Sequence, residues 1–294
     1  LGYQIISILL YSLQNITNKT FARRFPSKLT GILLLDALAM SLVALILALA
    51  GRARALDPNV LLLAIAFGVI YILTIVTLQA ALAAGPMGAT ILLNNIYIVF
   101  PVIYSILFFD ETATVPKIIG FICMMVVTFL SAPRDKKLKQ NQQALSLRWF
   151  LLTCATTLCN GALTILKRSL SWYHPQVDSA AFTFWGFLIV AIICWLIVGG
   201  LLLKKQSFKT WTDDPKYLGL CALGVGVATG GGNLFQLLAL RTVPSIVVFP
   251  LNAGGLLIIL WLYSLIVYKD KVRPSGIVAL VIGLIGAILL SVDI

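Results

Sequence analysis

Apolar residues fall along this chain in long runs separated by short, chemically distinct breaks. A helix needs about 20 mostly apolar residues to cross a hydrocarbon core. Ten runs meet that length, at roughly 2–21, 30–50, 59–82, 87–109, 115–132, 148–167, 179–203, 216–239, 245–268 and 275–292. Between them stand Arg23, Arg24 and Pro26, then Arg52 and Arg54, then Gly85 and Pro86, then Asp110 and Glu111. Later breaks are Arg134 to Lys137, His174 and Pro175, the 204–216 loop, Arg241 with Pro244, and Lys269 to Lys271. The split at Gly85–Pro86 is needed because an unbroken helix over 59–109 would far exceed a bilayer. The pattern predicts an all-α integral membrane protein with ten transmembrane helices.

The longest polar stretch, 133–147, lies near the midpoint and divides the chain into 1–132 and 148–294, five helices each. Sliding one half over the other by 158 positions superposes Gly68 on Gly226, Pro86 on Pro244, Asn94 on Asn252 and Pro116 on Pro274. The first helices align at another offset, with Asn15 opposite Asn160. Five spans per half is an odd number, so two such repeats enter the membrane in opposite orientations. Inverted repeats around a central cavity are a common plan of secondary transporters, with the substrate site at the repeat interface.

Composition agrees. Hydrophobic residues make up 60% and charged residues 11% of the chain, with a mean hydropathy of +1.02. Soluble domains run near 45–50% apolar and 25% charged. That excludes an ordinary water-soluble enzyme and a disordered chain. The net charge of +12 reads as topology and headgroup contact rather than nucleic-acid binding. Loops on the N-terminal side carry 6 Lys and Arg and those on the other side 16. The positive-inside rule then puts both termini outside, in a bacterial cytoplasmic membrane. Cys123, Cys154, Cys159, Cys194 and Cys221 sit in apolar runs without a C-x-x-C pair. With one histidine (His174) and one glutamate (Glu111), neither a metal, a cofactor nor enzyme catalysis is expected. Leu1 onward reads as the first span, not a signal peptide.

Polar residues inside spans are the candidate chemistry. Asp36 lies in Leu-Leu-Leu-Asp-Ala-Leu-Ala, well within the second span. An intramembrane acid faces a cavity, a partner or an ion path. It is a candidate for proton coupling or a counter-charge to a cationic substrate; the alternatives are a salt bridge to Lys19 or Lys28, or a helix-start residue if the span begins later. Asn94, Asn95 and Asn252 must find hydrogen-bond partners, either substrate or a neighbouring helix. Tyr97 lies one turn beyond Asn94. Asn15, with Gln14 and Asn18, forms a polar stripe on the first span, and Gln79 and Gln236 occupy comparable places in the third and eighth. Trp185 is a candidate cap that stacks on substrate, or an interfacial anchor. Gly224, Gly226, Gly230, Gly231 and Gly232 permit either close helix packing or a locally unwound segment; the run is no phosphate loop. Pro250 is placed to kink the ninth span. Lys167 and Arg168 read as snorkelling cations or an anion clamp.

With its ten spans, two five-helix repeats and short fourth-to-fifth helix connections, nearly the whole chain resembles the drug/metabolite transporter superfamily in its EamA-like ten-helix branch, and the segment 81–120 is the most telling. Its Ala-Leu-Ala-Ala-Gly-Pro-Met-Gly-Ala-Thr, then a span, then Asp-Glu-Thr-Ala-Thr-Val-Pro and Gly120 are similar to the family's turns around the fourth helix, with Glu111 on the usual glutamate. The second copy departs, with Lys269, Asp270 and Lys271. Asn15 to Lys19 with Phe25 and Pro26 is similar, over a short stretch, to the sugar-phosphate branch. The resemblance implies a bundle around a central cavity opened alternately to each side, and cytosolic termini, against the charge count. Family substrates range over amino acids, choline-like cations, nucleotide sugars and drugs. The residues favour a small polar metabolite, an amino-acid-like zwitterion or weak base. A proton-coupled exporter of hydrophobic cations and a sugar-phosphate or nucleotide-sugar exchanger are the alternatives. Expected partners are the substrate, the lipid bilayer and protons, with the chain a monomer or homodimer.

Overall fold

The structure, a computed structural model, describes residues 1–25, 28–131, 146–206, 208–267 and 274–292. All regular structure among these residues is helical. In chain order the helices are α1 (Gly2–Arg24), α2 (Leu29–Leu49), α3 (Pro58–Ala84), α4 (Met87–Asn94), α5 (Val99–Phe108), α6 (Val115–Ser131), α7 (Leu147–Tyr173), α8 (Ser179–Leu203), α9 (Lys209–Thr212), α10 (Pro215–Leu240), α11 (Ser245–Val267) and α12 (Pro274–Ser291). A 3-10 turn, Asn95–Ile98, joins α4 to α5.

Among the described residues, seven helices are long and apolar enough to cross a membrane, counting α4 and α5 as one; α6 and α12 are shorter apolar helices. The tenth expected span, α1, has the length (23 residues), but its polar stripe lowers its hydropathy. Most of the expected linker, 133–147, and the Lys269 to Lys271 turn lie outside the described residues.

Helix ends follow from local chemistry. Asp178 caps α8 by accepting from the Ala180 N–H at 2.9 Å. Asp214 accepts from the Tyr217 N–H at 3.0 Å, and Pro215 opens α10, where no N–H is missed. After α2, Gly51 adopts φ +68°, and the Gly51 and Arg52 N–H groups donate to the Ala48 and Leu47 carbonyls. That is the glycine-terminated stop that needs no Cβ.

The chain forms two compact units, each drawing on both halves of the sequence. The first contains Gly2–Ile72 and Tyr173–Leu238. Here α2 packs along α8. Phe67, Tyr71, Phe182 and Phe187 form an edge-to-face cluster with ring centroids 5.6–5.9 Å apart. The glycines of α10 admit two helices. A Cβ at Gly231 or Gly232 would meet Leu10 or Tyr11 of α1 at 2.9 Å, and one at Gly226 the Ala39 carbonyl of α2 at 2.6 Å. Helix α10 runs unbroken from Pro215 to Leu240, so close packing is the reading that holds and local unwinding is excluded.

The second unit contains Leu73–Trp172 and Ala239–Ile294, with Leu1. Helix α6 lies against α11 and α12 around Met124, Val247, Phe249 and Leu290. Gly120 and Gly286 let α6 and α12 approach closely. The Trp149 ring fills the space beside Gly85, which explains the glycine before Pro86.

Candidate functional site

Each unit holds its own polar cluster inside apolar spans. In the second unit the cluster grows from α7. Its Thr153, Thr156, Thr157, Asn160 and Thr164 recur at helical spacing and form one stripe. Thr156 bonds Thr77 at 2.9 Å, oxygen to oxygen. Thr157 donates to the Leu93 carbonyl at 3.3 Å, and the Asn160 Nδ2 donates to the Asn94 Oδ1 at 2.9 Å. Nearer the start of α7, the Trp149 indole donates to the Thr90 hydroxyl at 2.8 Å.

Asn94 ends α4, where the helix tightens into the 3-10 turn. Pro101 supplies the reason. It has no N–H for the Tyr97 carbonyl, and its ring crowds that carbonyl, so regular α-geometry fails just before it. The turn contacts α11, whose Pro250 removes the donor to the Ile246 carbonyl. Asn252 lies half a turn further along α11 and is buried. Gln79, Asn95 and Tyr97 are half-buried, and among the described residues their side chains make no hydrogen bond.

In the first unit Asp36 is buried, with 7% of its surface exposed. Among the described residues its carboxylate accepts no hydrogen bond and enters no ion pair, so the expected alternative of a bridge to Lys19 or Lys28 is overturned. Tyr71 and Cys194 lie within electrostatic reach of it, and Tyr11 within reach of Tyr71. The Tyr11 hydroxyl points to the Gln236 Oε1 at 3.4 Å, and Ser7 donates to the Gly232 carbonyl at 2.8 Å.

The remaining candidates of the first unit have local partners. Asn15 is exposed and donates to the Tyr11 carbonyl of its own helix at 2.8 Å. The Trp185 indole donates to the Arg54 carbonyl at 2.8 Å.

A helix-end clamp in the second unit was not legible. Arg168 pairs with Glu111 at 2.8 Å, both largely buried. Glu111 accepts from the Ser245 N–H at 2.8 Å, capping α11, while Arg168 donates to the Leu240 carbonyl at the end of α10 at 2.6 Å. The guanidinium also lies 5.1 Å from the Trp172 ring centroid. Arg168 is therefore neither snorkelling nor open to a substrate anion. Its sequence signal was only a cation beside an acid 57 positions away (168 against 111).

Residues 147–292, covering α7 to α12 of this geometry, match the EamA-like transporter family. The chain carries an EamA-like transporter domain. The EamA-like family is part of the drug/metabolite transporter superfamily, and the protein is a membrane transporter, not an enzyme. No curated protein matches the sequence. A solved crystal structure is similar with a TM-score of 0.74 at 14% identity, over 98% of this chain and 95% of that one, which shows the fold. The EamA-like domain supplies Asn160, Arg168, Trp185, Gln236 and Asn252; Asp36, Gln79, Asn94, Asn95, Tyr97 and Glu111 lie before it.

Proposed function

We propose that this protein is a secondary active transporter of a small polar organic metabolite, an amino-acid-like zwitterion or weak base. In this reading ten spans form two inverted five-helix repeats, 1–132 and 148–294, around a central cavity that opens alternately to each side. The 16-cation face is cytoplasmic and both termini are outside. Asp36 couples transport to protons, and Asn94, Asn95, Tyr97, Gln79, Asn252, Gln236, Asn15 and Trp185 contact substrate.

The observation that carries the reading is Asp36. A carboxylate inside an apolar span with no bonding partner among the described residues is costly unless it faces a water-filled or substrate-filled space. Gln79, Asn95 and Tyr97 support it by the same logic, because lipid cannot satisfy them. Their neutrality favours a zwitterion or weak base over a polyanion.

The test is flux into liposomes under an imposed proton gradient, with amino acids, choline-like amines, sugar phosphates and cationic dyes as separate substrates. We expect gradient-driven flux of a zwitterion or weak base. Asp36→Asn should lose gradient-driven accumulation while keeping substrate exchange. Gradient-driven flux unchanged in Asp36→Asn would refute proton coupling there. Flux confined to cationic dyes would replace the metabolite with a hydrophobic cation.

A further inference from the structure

The first unit carries a groove that the transport reading does not use. It lies between α2 and α8, has a volume of about 350 Å3, and is lined by Ser41, Ala44, Ala48, Leu188, Ala191 and Trp195 among others. These positions recur at three- and four-residue spacing, so each helix contributes one face. Ser41, Ala44 and Ala48 on α2 create the depression, and Phe184, Leu188 and Trp195 on α8 form the opposite wall.

Its chemistry suits hydrocarbon. The one hydroxyl in the lining is already satisfied: Ser41 donates to the Ala37 carbonyl at 2.7 Å and accepts from the Trp195 indole at 3.0 Å. A polar molecule would gain no bond there. Trp195 and Ile192 are substantially exposed, so the groove is open along the side of two apolar spans rather than enclosed.

The end of the groove nearest the close of α2 is different. Past Ala48, Gly51 turns the chain, and the segment after it is pinned to the start of α8. The Trp185 indole holds the Arg54 carbonyl, while the adjacent Phe184 lines the groove. Arg52 is occupied by Asp178 at 3.2 Å. Arg54 is exposed, and among the described residues its guanidinium makes no ion pair, even with Asp57 three positions on. Arg54, its carbonyl held by the neighbour of groove-lining Phe184, thus sets an unneutralised cation close in the chain to the end of the groove.

We infer that the α2–α8 groove binds one anionic phospholipid, with an acyl chain between the helices and the phosphate on Arg54. The apolar walls select a chain, and the cation selects the headgroup charge. One arginine near a membrane surface favours an anionic lipid by about fivefold. This site does not depend on which metabolite is carried or on Asp36.

Trp195 provides the readout. The full-length protein is placed in phosphatidylcholine vesicles with a minor fraction of either brominated phosphatidylglycerol or brominated phosphatidylcholine. The quenching that disappears in Trp195→Phe belongs to the groove. We expect phosphatidylglycerol to quench it at about fivefold lower mole fraction than phosphatidylcholine. Arg54→Gln should bring the two curves together, and Ala48→Phe, which occupies the upper groove, should shift the phosphatidylglycerol curve toward the other. Both side chains are exposed, so the variants should fold, which unquenched emission checks. Coincident curves in the unaltered protein, or a preference that survives Arg54→Gln, would overturn the site. So would protection of Trp195 from both lipids that grows with protein density, since the groove would then hold a second copy.

Discussion

Arg168 and Glu111 meet at 2.8 Å, and through them the end of α10 and the start of α11 are tied to one ion pair. Removing one partner strands a buried charge and orphans backbone groups at a helix terminus. Arg168→Met should lower stability by about 3–5 kcal/mol, and Glu111→Gln by a lesser amount because the amide oxygen still accepts. The double variant should recover part of the Arg168→Met loss. Chemical unfolding in detergent, run as a double-mutant cycle, checks both statements.

Asn94 and Asn160 satisfy each other across α4 and α7. Their coupling should be small, about 0.6 kcal/mol and at most about 1.7 kcal/mol, since unfolded spans also find partners for amides. A double-mutant cycle with alanine measures it. If transport falls far more than stability in the single variants, the pair works on substrate as well as on packing.

The glycine face of α10 should tolerate no side chain at Gly226, where a Cβ would strike the Ala39 backbone oxygen. Gly226→Val should cost about 1–3 kcal/mol or more, because backbone cannot move aside as a side chain can. Gly219, with nothing within 4 Å, is the control. Gly219→Ala should be neutral or stabilising by up to about 1 kcal/mol. Thermal midpoints in one detergent compare them.

Trp149 bonds Thr90 and covers Gly85. Trp149→Phe should cost about 1 kcal/mol for the lost hydrogen bond, plus the packing of the larger ring. Gly85→Ala should be worse tolerated than Thr90→Ser, which keeps the hydroxyl. Melting curves of the three variants give the order.

Hydropathy made the helices legible because the bilayer imposes a length. The breaks at Arg52 and Arg54, at Gly85–Pro86 and over 204–216 were legible because charges, glycine and proline interrupt an apolar run, whereas the roles of Gly51 and of Asp214–Pro215 in ending and opening helices came only from the structure. The 3-10 turn was not legible. Its cause is Pro101, the fifteenth residue of the apolar run 87–109, which reads as one helix. Asp36 stood out because a lone acid in leucines needs no partner to be noticed. The Asn94–Asn160 pair and the Arg168–Glu111 clamp did not, because hydropathy weighs each residue singly and their meaning lies in what folding brings beside them. Asn160, matched to Asn15 only as an equivalent repeat position, bonds Asn94 in the structure. Asn15 turns back to its own backbone, as polar residues on helices often do.

The glycines of α10 have a mechanical consequence. Where side chains separate two helices, rotamers can change and let the helices slide. Against Gly226 the Ala39 backbone of α2, and against Gly230, Gly231 and Gly232 the side chains of Val43, Leu10 and Tyr11, rest on bare α10 backbone, so α10 has no rotamers of its own to re-sort there. These three helices should therefore travel as one stiff lever. Spin labels placed on them should keep constant mutual distances through a transport cycle, and flexing should be confined to joints elsewhere in the chain.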